Sequence, residues 1–244
     1  SGAGEMGFMA WMTACSAACF WILWGSLSRP LPPDPKSFVE VLCVCVVGAI
    51  FANVFYFRAL RLAPLSVVMP ILSLSPAFMI LTSRWMLGEI ADPSGIAGIA
   101  GIVVGTAVLY IGRNPASPDD RTFRRGFLWA LATSFIWSVT ANLDKRAVGL
   151  SDLFFYSATL QSALSVIFFV SVPALRPGDI SSIIHNSAAR RRLGQAVALD
   201  VIVLTSQMTA ILQTNVSYVI AIKRSGAILA VILGWACLGE GQLL

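Results

Sequence analysis

Charge is scarce in this chain: Asp, Glu, Lys and Arg make up 12% of its 244 residues, about half the share of a water-soluble domain. That shortfall excludes an ordinary soluble fold, whose surface needs charged groups. Histidine is scarcer still. The single His185 lies in a polar loop with Ser181, Ser182, Asn186 and Ser187, which gives little support to a catalytic dyad or a metal site. Cysteine is limited to Cys15, Cys19, Cys43, Cys45 and Cys237, all inside apolar runs. Cys43 and Cys45 are two apart and point to different sides of a helix, so they suit neither zinc nor a disulfide. Core packing is their expected role. No metal and no cofactor are expected.

Long uncharged runs are abundant. They cover Met6 to Ser28, Val41 to Phe57, Leu62 to Ser83, Pro93 to Gly112, Gly126 to Leu143 and Leu153 to Leu175, with a further pair inside Leu193 to Gly239 split at Gln213-Thr214-Asn215. Roughly 20 helical residues cross a bilayer core, so eight spans are expected. Continuous rather than alternating apolar character argues for helices over a membrane barrel, since each span must satisfy its own backbone hydrogen bonds. The expected fold is an all-α polytopic membrane bundle. The first run has no basic n-region and has a counterpart at Asp152 to Leu175, so it reads as a retained helix rather than a signal peptide.

The net charge of +5 comes from basic residues at helix ends, with clusters at Arg113, Arg121, Arg124 and Arg125 and at Arg176, Arg190, Arg191 and Arg192. Without an interleaved aromatic groove these are topology signals, and no nucleic-acid partner is expected. The loops after spans two, four and six hold ten Lys and Arg, against five for the loops after the odd spans. The positive-inside rule places the ten, and residue 1, in the cytoplasm.

Two stretches lie over each other without a gap: ALRLAPLSVVMPILSLSPAFMILTSRWMLGE (Ala59 to Glu89) and AILQTNVSYVIAIKRSGAILAVILGWACLGE (Ala210 to Glu240). The offset is 151 residues and both copies close on Leu-Gly-Glu. A repeat in so apolar a chain points to a transporter. In this register the helix at Gly126 to Val148 has no first-half partner, and Ser94 to Gly112 would pair with a helix after Leu244. Five helices per repeat are therefore expected, eight being present of ten. An odd number per repeat inverts the second copy across the membrane.

The ALRLAPLSVVMPILSLSP run leading into WMLGE, the Gly-rich helix IAGIAGIVVGTAVLYIG and the second copy ending LGWACLGE together resemble the EamA-type members of the drug/metabolite transporter superfamily. The resemblance covers nearly the whole chain. It implies a first repeat over residues 1–112, an inter-repeat loop over 113–125 and a second repeat over 126–244, lacking the first and last helices respectively. It also implies a ten-helix inverted-repeat carrier of small metabolites, amino acids, drugs or lipid-linked sugars, often an exporter, in the bacterial inner (plasma) membrane. Family members usually keep both termini in the cytoplasm. With a first helix missing, that would turn the ten-charge loops outward, opposite to the charge count.

Substrate chemistry is sought in polar groups at membrane depth. Lys223 and Arg224 sit mid-helix, where a charge costs about 2.5–3.5 kcal/mol on insertion scales. Asp200 on the preceding antiparallel helix is the best internal partner, offset by about 7 Å in depth at 1.5 Å per residue. Either cation could anchor an anionic or zwitterionic substrate, or form a structural salt bridge with Asp200. The matching first-copy positions are Leu72 and Ser73, uncharged. Further candidates are Gln207, Asn142, Trp137, Asn53, Tyr56 and Ser73, each with a packing or interface role as the alternative. Pro70 and Pro76 are expected to break the Leu65 to Leu87 helix, with Ser73 or Ser75 filling the kink. Gly95, Gly98, Gly101 and Gly105 would form a close-packing face. Glu89 and Glu240 are expected to cap neighbouring structure.

A carrier working by alternating access, with proton coupling as one means of driving it, is the leading reading, and its partners are a small-molecule substrate and the lipid bilayer. A lipid-linked substrate flippase or a non-transporting scaffold are the alternatives. An enzyme would need a nucleophile with its base, or paired carboxylates, which His185 and Asp200 do not supply.

Overall fold

The computed structural model describes residues 3–27, 31–111, 120–175 and 187–226. Regular structure among them is α-helical: α1 (Ala3–Ser26), α2 (Pro35–Leu62), α3 (Leu65–Leu72), α4 (Ser75–Leu87), α5 (Pro93–Ile111), α6 (Asp120–Gly149), α7 (Leu153–Leu175) and α8 (Ser187–Gln213). Residues 216–226 continue as helix. Six stretches among the described residues are long and apolar enough to cross a membrane, and Pro93–Gly105 is a shorter apolar helix. The chain is an integral, multi-pass membrane protein. His185, Cys237, Glu240, the second Leu-Gly-Glu and residues 112–119 of the inter-repeat loop lie outside the described residues.

Helix ends extend past the uncharged runs, for local reasons. α2 begins at Pro35 because the Asp34 carboxylate accepts from the backbone N–H of Lys36 (3.2 Å) and Ser37 (3.3 Å) and from the Ser37 hydroxyl (2.6 Å), a cap followed by proline at the first helical position. Asp152 caps α7 in the same way through Phe154 N–H at 3.0 Å. α6 starts at Asp120, six residues before the uncharged run, because Arg124 and Arg125 are good helix formers whose charge does not interrupt the helix.

The repeat register reappears in the backbone. α2 ends at Leu62 and the next helix starts at Leu65; α8 ends at Gln213 and the next starts at 216, each 151 residues on. At the first corner Val67 and Val68 N–H donate to the Pro64 carbonyl, and at the second Tyr218 and Val219 N–H donate to that of Asn215.

Two compact units compose the chain, each drawing on both sequence halves. The first holds residues 1–47 and 143–213, the second residues 48–142 and 214–244. In the first, α1 packs most extensively on α7 and also on α8, through buried Ala10, Ser16, Ala17, Ser157 and Ala158, small side chains that let helices approach closely. Aromatic rings close one end: Phe155 meets Trp21, Trp24 and Phe38 at 5.4–5.7 Å between centroids. In the second, Ala59, Ala63, Val67, Val68, Ile71, Leu72 and Ala130 form the core, with Tyr56, Trp129 and Trp137 packed against it.

On the glycine face, a Cβ on Gly95 would clash with Tyr218 Cε1, while one on Gly98, Gly101 or Gly105 would meet nothing within 4 Å among the described residues. One packing expectation is corrected. Cys43 is exposed and Cys45 buried, with Cys15 and Cys19 between these extremes, so outward-facing Cys43 does not pack in a core.

Candidate functional site

The doubled Leu-Gly-Glu motif acquires a mechanism in its first copy. Gly88 ends α4 in the left-handed conformation (φ 70°) with its N–H on the Ser83 carbonyl, a stop that glycine makes without Cβ strain. Glu89 then accepts from Val216 N–H at 3.1 Å, and the Ile90 carbonyl accepts from the Asn215 amide at 3.2 Å. The carboxylate thus caps the 216–226 helix, satisfying an orphan N–H at its positive end. One turn on, the Tyr218 hydroxyl donates to Asp92 and accepts from Asp92 N–H at 2.8 Å. Hydroxyls of Ser94 and Tyr218 hold the Asp92 carboxyl below the ordinary carboxylate range, at about 2.

From that fixed start the helix carries Arg224 about 12 Å inward at 1.5 Å per residue. Its guanidinium carbon stands 4.8 Å from the Trp137 ring centroid, and its Nε donates to the Ser75 hydroxyl at 3.4 Å. Tyr56 lies tilted against the same indole, 5.9 Å between centroids and 40° between planes. A desolvated cation–π contact contributes about 2 kcal/mol against an insertion cost of about 2.5–3.5 kcal/mol. The ring therefore offsets most of the cost, and among the described residues the long Ser75 bond leaves most of the five guanidinium donors unused. On α6, Ser134 is fully buried and its hydroxyl has no partner among the described residues.

Ser75 reaches Arg224 because the Leu65 to Leu87 helix breaks. Pro70 lies inside α3, Pro76 opens α4, and Ser73 and Leu74 form the turn between them. The Ser73 hydroxyl donates to the Met69 carbonyl at 3.1 Å and closes the break from within. Ser75, a buried residue, is therefore the hydroxyl offered to the cation.

Among the sequence candidates, the second unit brings Arg224, Trp137 and Tyr56 together and separates the others from them. Lys223 is exposed. Asn53 donates to the Ala49 carbonyl of its own helix at 2.8 Å. Asn142 is fully buried and committed to joining helices: it accepts from Ser83 Oγ (2.7 Å) and donates to Thr82 Oγ1 (2.8 Å) and the Ser138 carbonyl (2.8 Å). Those bonds occupy both its donor and its acceptor, the packing alternative for this residue.

Asp200 and Gln207 belong to the first unit. The partners of Asp200 there are neutral: one carboxylate oxygen accepts from Ser16 Oγ at 2.6 Å and Gln161 Nε2 at 2.9 Å. A hydroxyl and an amide from α1 and α7 thus solvate the carboxylate within the unit. Gln207 is half-buried on α8. Sequence reading passed over Ser16 and Gln161, although an amide inside the apolar Leu153 to Leu175 run is itself a signal. It also passed over buried Tyr156, whose hydroxyl donates to Asp144.

Residues 3–111 match the EamA-like transporter family. Over 101 residues the chain is 33% identical to the aromatic amino acid exporter YddG of Ancylobacter novellus, a match covering 41% of this chain and 35% of the exporter. The chain thus spans about a third of that relative's length. A solved crystal structure of a protein at 19% identity superposes with a TM-score of 0.78, covering 97% of this chain and 79% of that one, and the two share a fold.

Proposed function

We propose that the chain is an EamA-type member of the drug/metabolite transporter superfamily and that it exports small zwitterionic or anionic metabolites, amino acids foremost, across a bacterial inner membrane. Arg224 carries the reading. A guanidinium held over an aromatic face, with donors to spare, binds a carboxylate through paired N–H groups, while Tyr56 offers an apolar face for the rest of the solute. The similarity to an aromatic amino acid exporter supports this substrate class. The break between α3 and α4 sets a hydroxyl beside the cation and allows that wall of the site to move. Two repeats of opposite orientation, over residues 1–112 and 126–244, would alternate access around it. Proton coupling is one means of driving the cycle.

The test is efflux of labelled phenylalanine, tryptophan and glutamate from proteoliposomes holding the full protein. Saturable efflux is expected, with Arg224→Gln reducing it at least about thirtyfold, the scale of losing one partner from a buried charge pair. Normal flux through a well-inserted Arg224→Gln would remove Arg224 from the site. Movement of a lipid-linked sugar with no amino acid flux would favour the flippase.

A further inference from the structure

A second polar site stands apart from Arg224, where the apolar run of α2 ends. Arg58 and Arg61, one turn apart on the same face of α2, and Arg125 of α6 line a cavity of about 680 Å³, within the range of small-molecule sites. Its remaining walls are Leu62, Leu128, Trp129 and Ala132. Among the described residues the lining holds three guanidinium groups and no carboxylate. The Arg58 guanidinium carbon lies 5.1 Å from the Trp129 ring centroid, and Trp129 packs 4.6 Å from Phe55, so one of the three cations is held in place.

Gly126 explains why the cations converge. It is buried, and a Cβ there would lie 2.7 Å from Ala63 Cβ and 3.1 Å from backbone atoms of Leu62 and Ala63. Only glycine lets α6 approach the end of α2 this closely, which sets Arg125 opposite Arg58 and Arg61. Three like charges around one cavity repel unless an anion joins them.

We propose that this cavity binds the phosphate of an anionic phospholipid headgroup. Three features select a lipid over a soluble phosphate. The arginines sit where an uncharged membrane run ends, a tryptophan stands at the same level as in interfacial aromatic belts, and the cavity continues onto Leu62 and the exposed Leu128, a path for an acyl chain. Basic pockets of this kind between membrane helices recognise lipid headgroups. The site is independent of any role for Arg224.

Native mass spectrometry of the full protein, delipidated and returned to mixed phosphatidylglycerol and phosphatidylcholine, tests it. Preferential retention of phosphatidylglycerol is expected, weakened about fivefold by Arg58→Gln and by Arg125→Gln, and unchanged by Arg191→Gln, an exposed arginine of the other unit. Because two separate variants report, failure of one to fold leaves the other decisive. Glycerol 3-phosphate at millimolar concentration should not displace the lipid. No headgroup preference, or retention unchanged in both variants, would overturn the site; displacement by glycerol 3-phosphate would make it a site for soluble phosphate esters.

Discussion

The two units solve opposite electrostatic problems inside the membrane. In the first, the anion Asp200 is surrounded by neutral donors, Ser16 and Gln161, contributed by α1 and α7. In the second, the cation Arg224 rests on the Trp137 face with one long hydrogen bond to Ser75 among the described residues. Asp200 receives two short bonds. Arg224 has donor capacity left over. A low-dielectric interior penalises both charges; the carboxylate is solvated by hydroxyl and amide dipoles, whereas the guanidinium keeps donors unused among the described residues, which is the basis of the proposed anion site.

The largest effect expected from breaking that contrast is the loss of transport in Arg224→Gln described above. Lys223→Gln sharpens it: the exposed neighbour should change flux less than threefold in the same vesicles, within the scatter of surface substitutions. Asp200→Ala should instead act on stability, lowering it by about 2–3 kcal/mol because Ser16 and Gln161 lose a charged acceptor. Denaturation of the purified protein in detergent would read that loss, and unchanged stability would show that the anion is not a tie between α1, α7 and α8. Gly126→Ala should cost about 1–3 kcal/mol by overpacking α6 against the end of α2. An unaffected melting temperature would mean that the helices separate freely.

The smallest effect is a pH dependence. The Asp92 carboxyl, held near 2 by Ser94 and Tyr218, is depressed relative to an unfolded aspartate at about 3.9. Its contribution is complete above the unfolded value and disappears as pH falls through about 2. Tyr218→Phe removes one donor and should flatten the acid limb of a melting-temperature profile between pH 4 and 2. An identical profile would assign the depression to Ser94 alone.

Much of the architecture was legible because it rests on patterns a sequence states directly. Uncharged runs located the spans, and the 151-residue register placed the corner at Thr214 from the one at Ala63-Pro64. The prolines located the break that puts Ser75 beside Arg224. The partners of the charges were not legible. The hydroxyl and amide that hold Asp200 lie on other helices, and such neutral donors leave no charge pattern in the sequence. For the glycine face, spacing shows which glycines share a side of α5, but only the neighbour decides which of them is approached, and for Gly95 that neighbour is a tyrosine far along the chain.

Glu89 carries a consequence for biogenesis. Its carboxylate caps a helix whose first residue is synthesised 127 positions later, so the early segment enters the membrane with that acceptor waiting and the late segment arrives with a bare N-terminus. The contact is thus a late step in vectorial assembly, made only once the chain has grown past Val216.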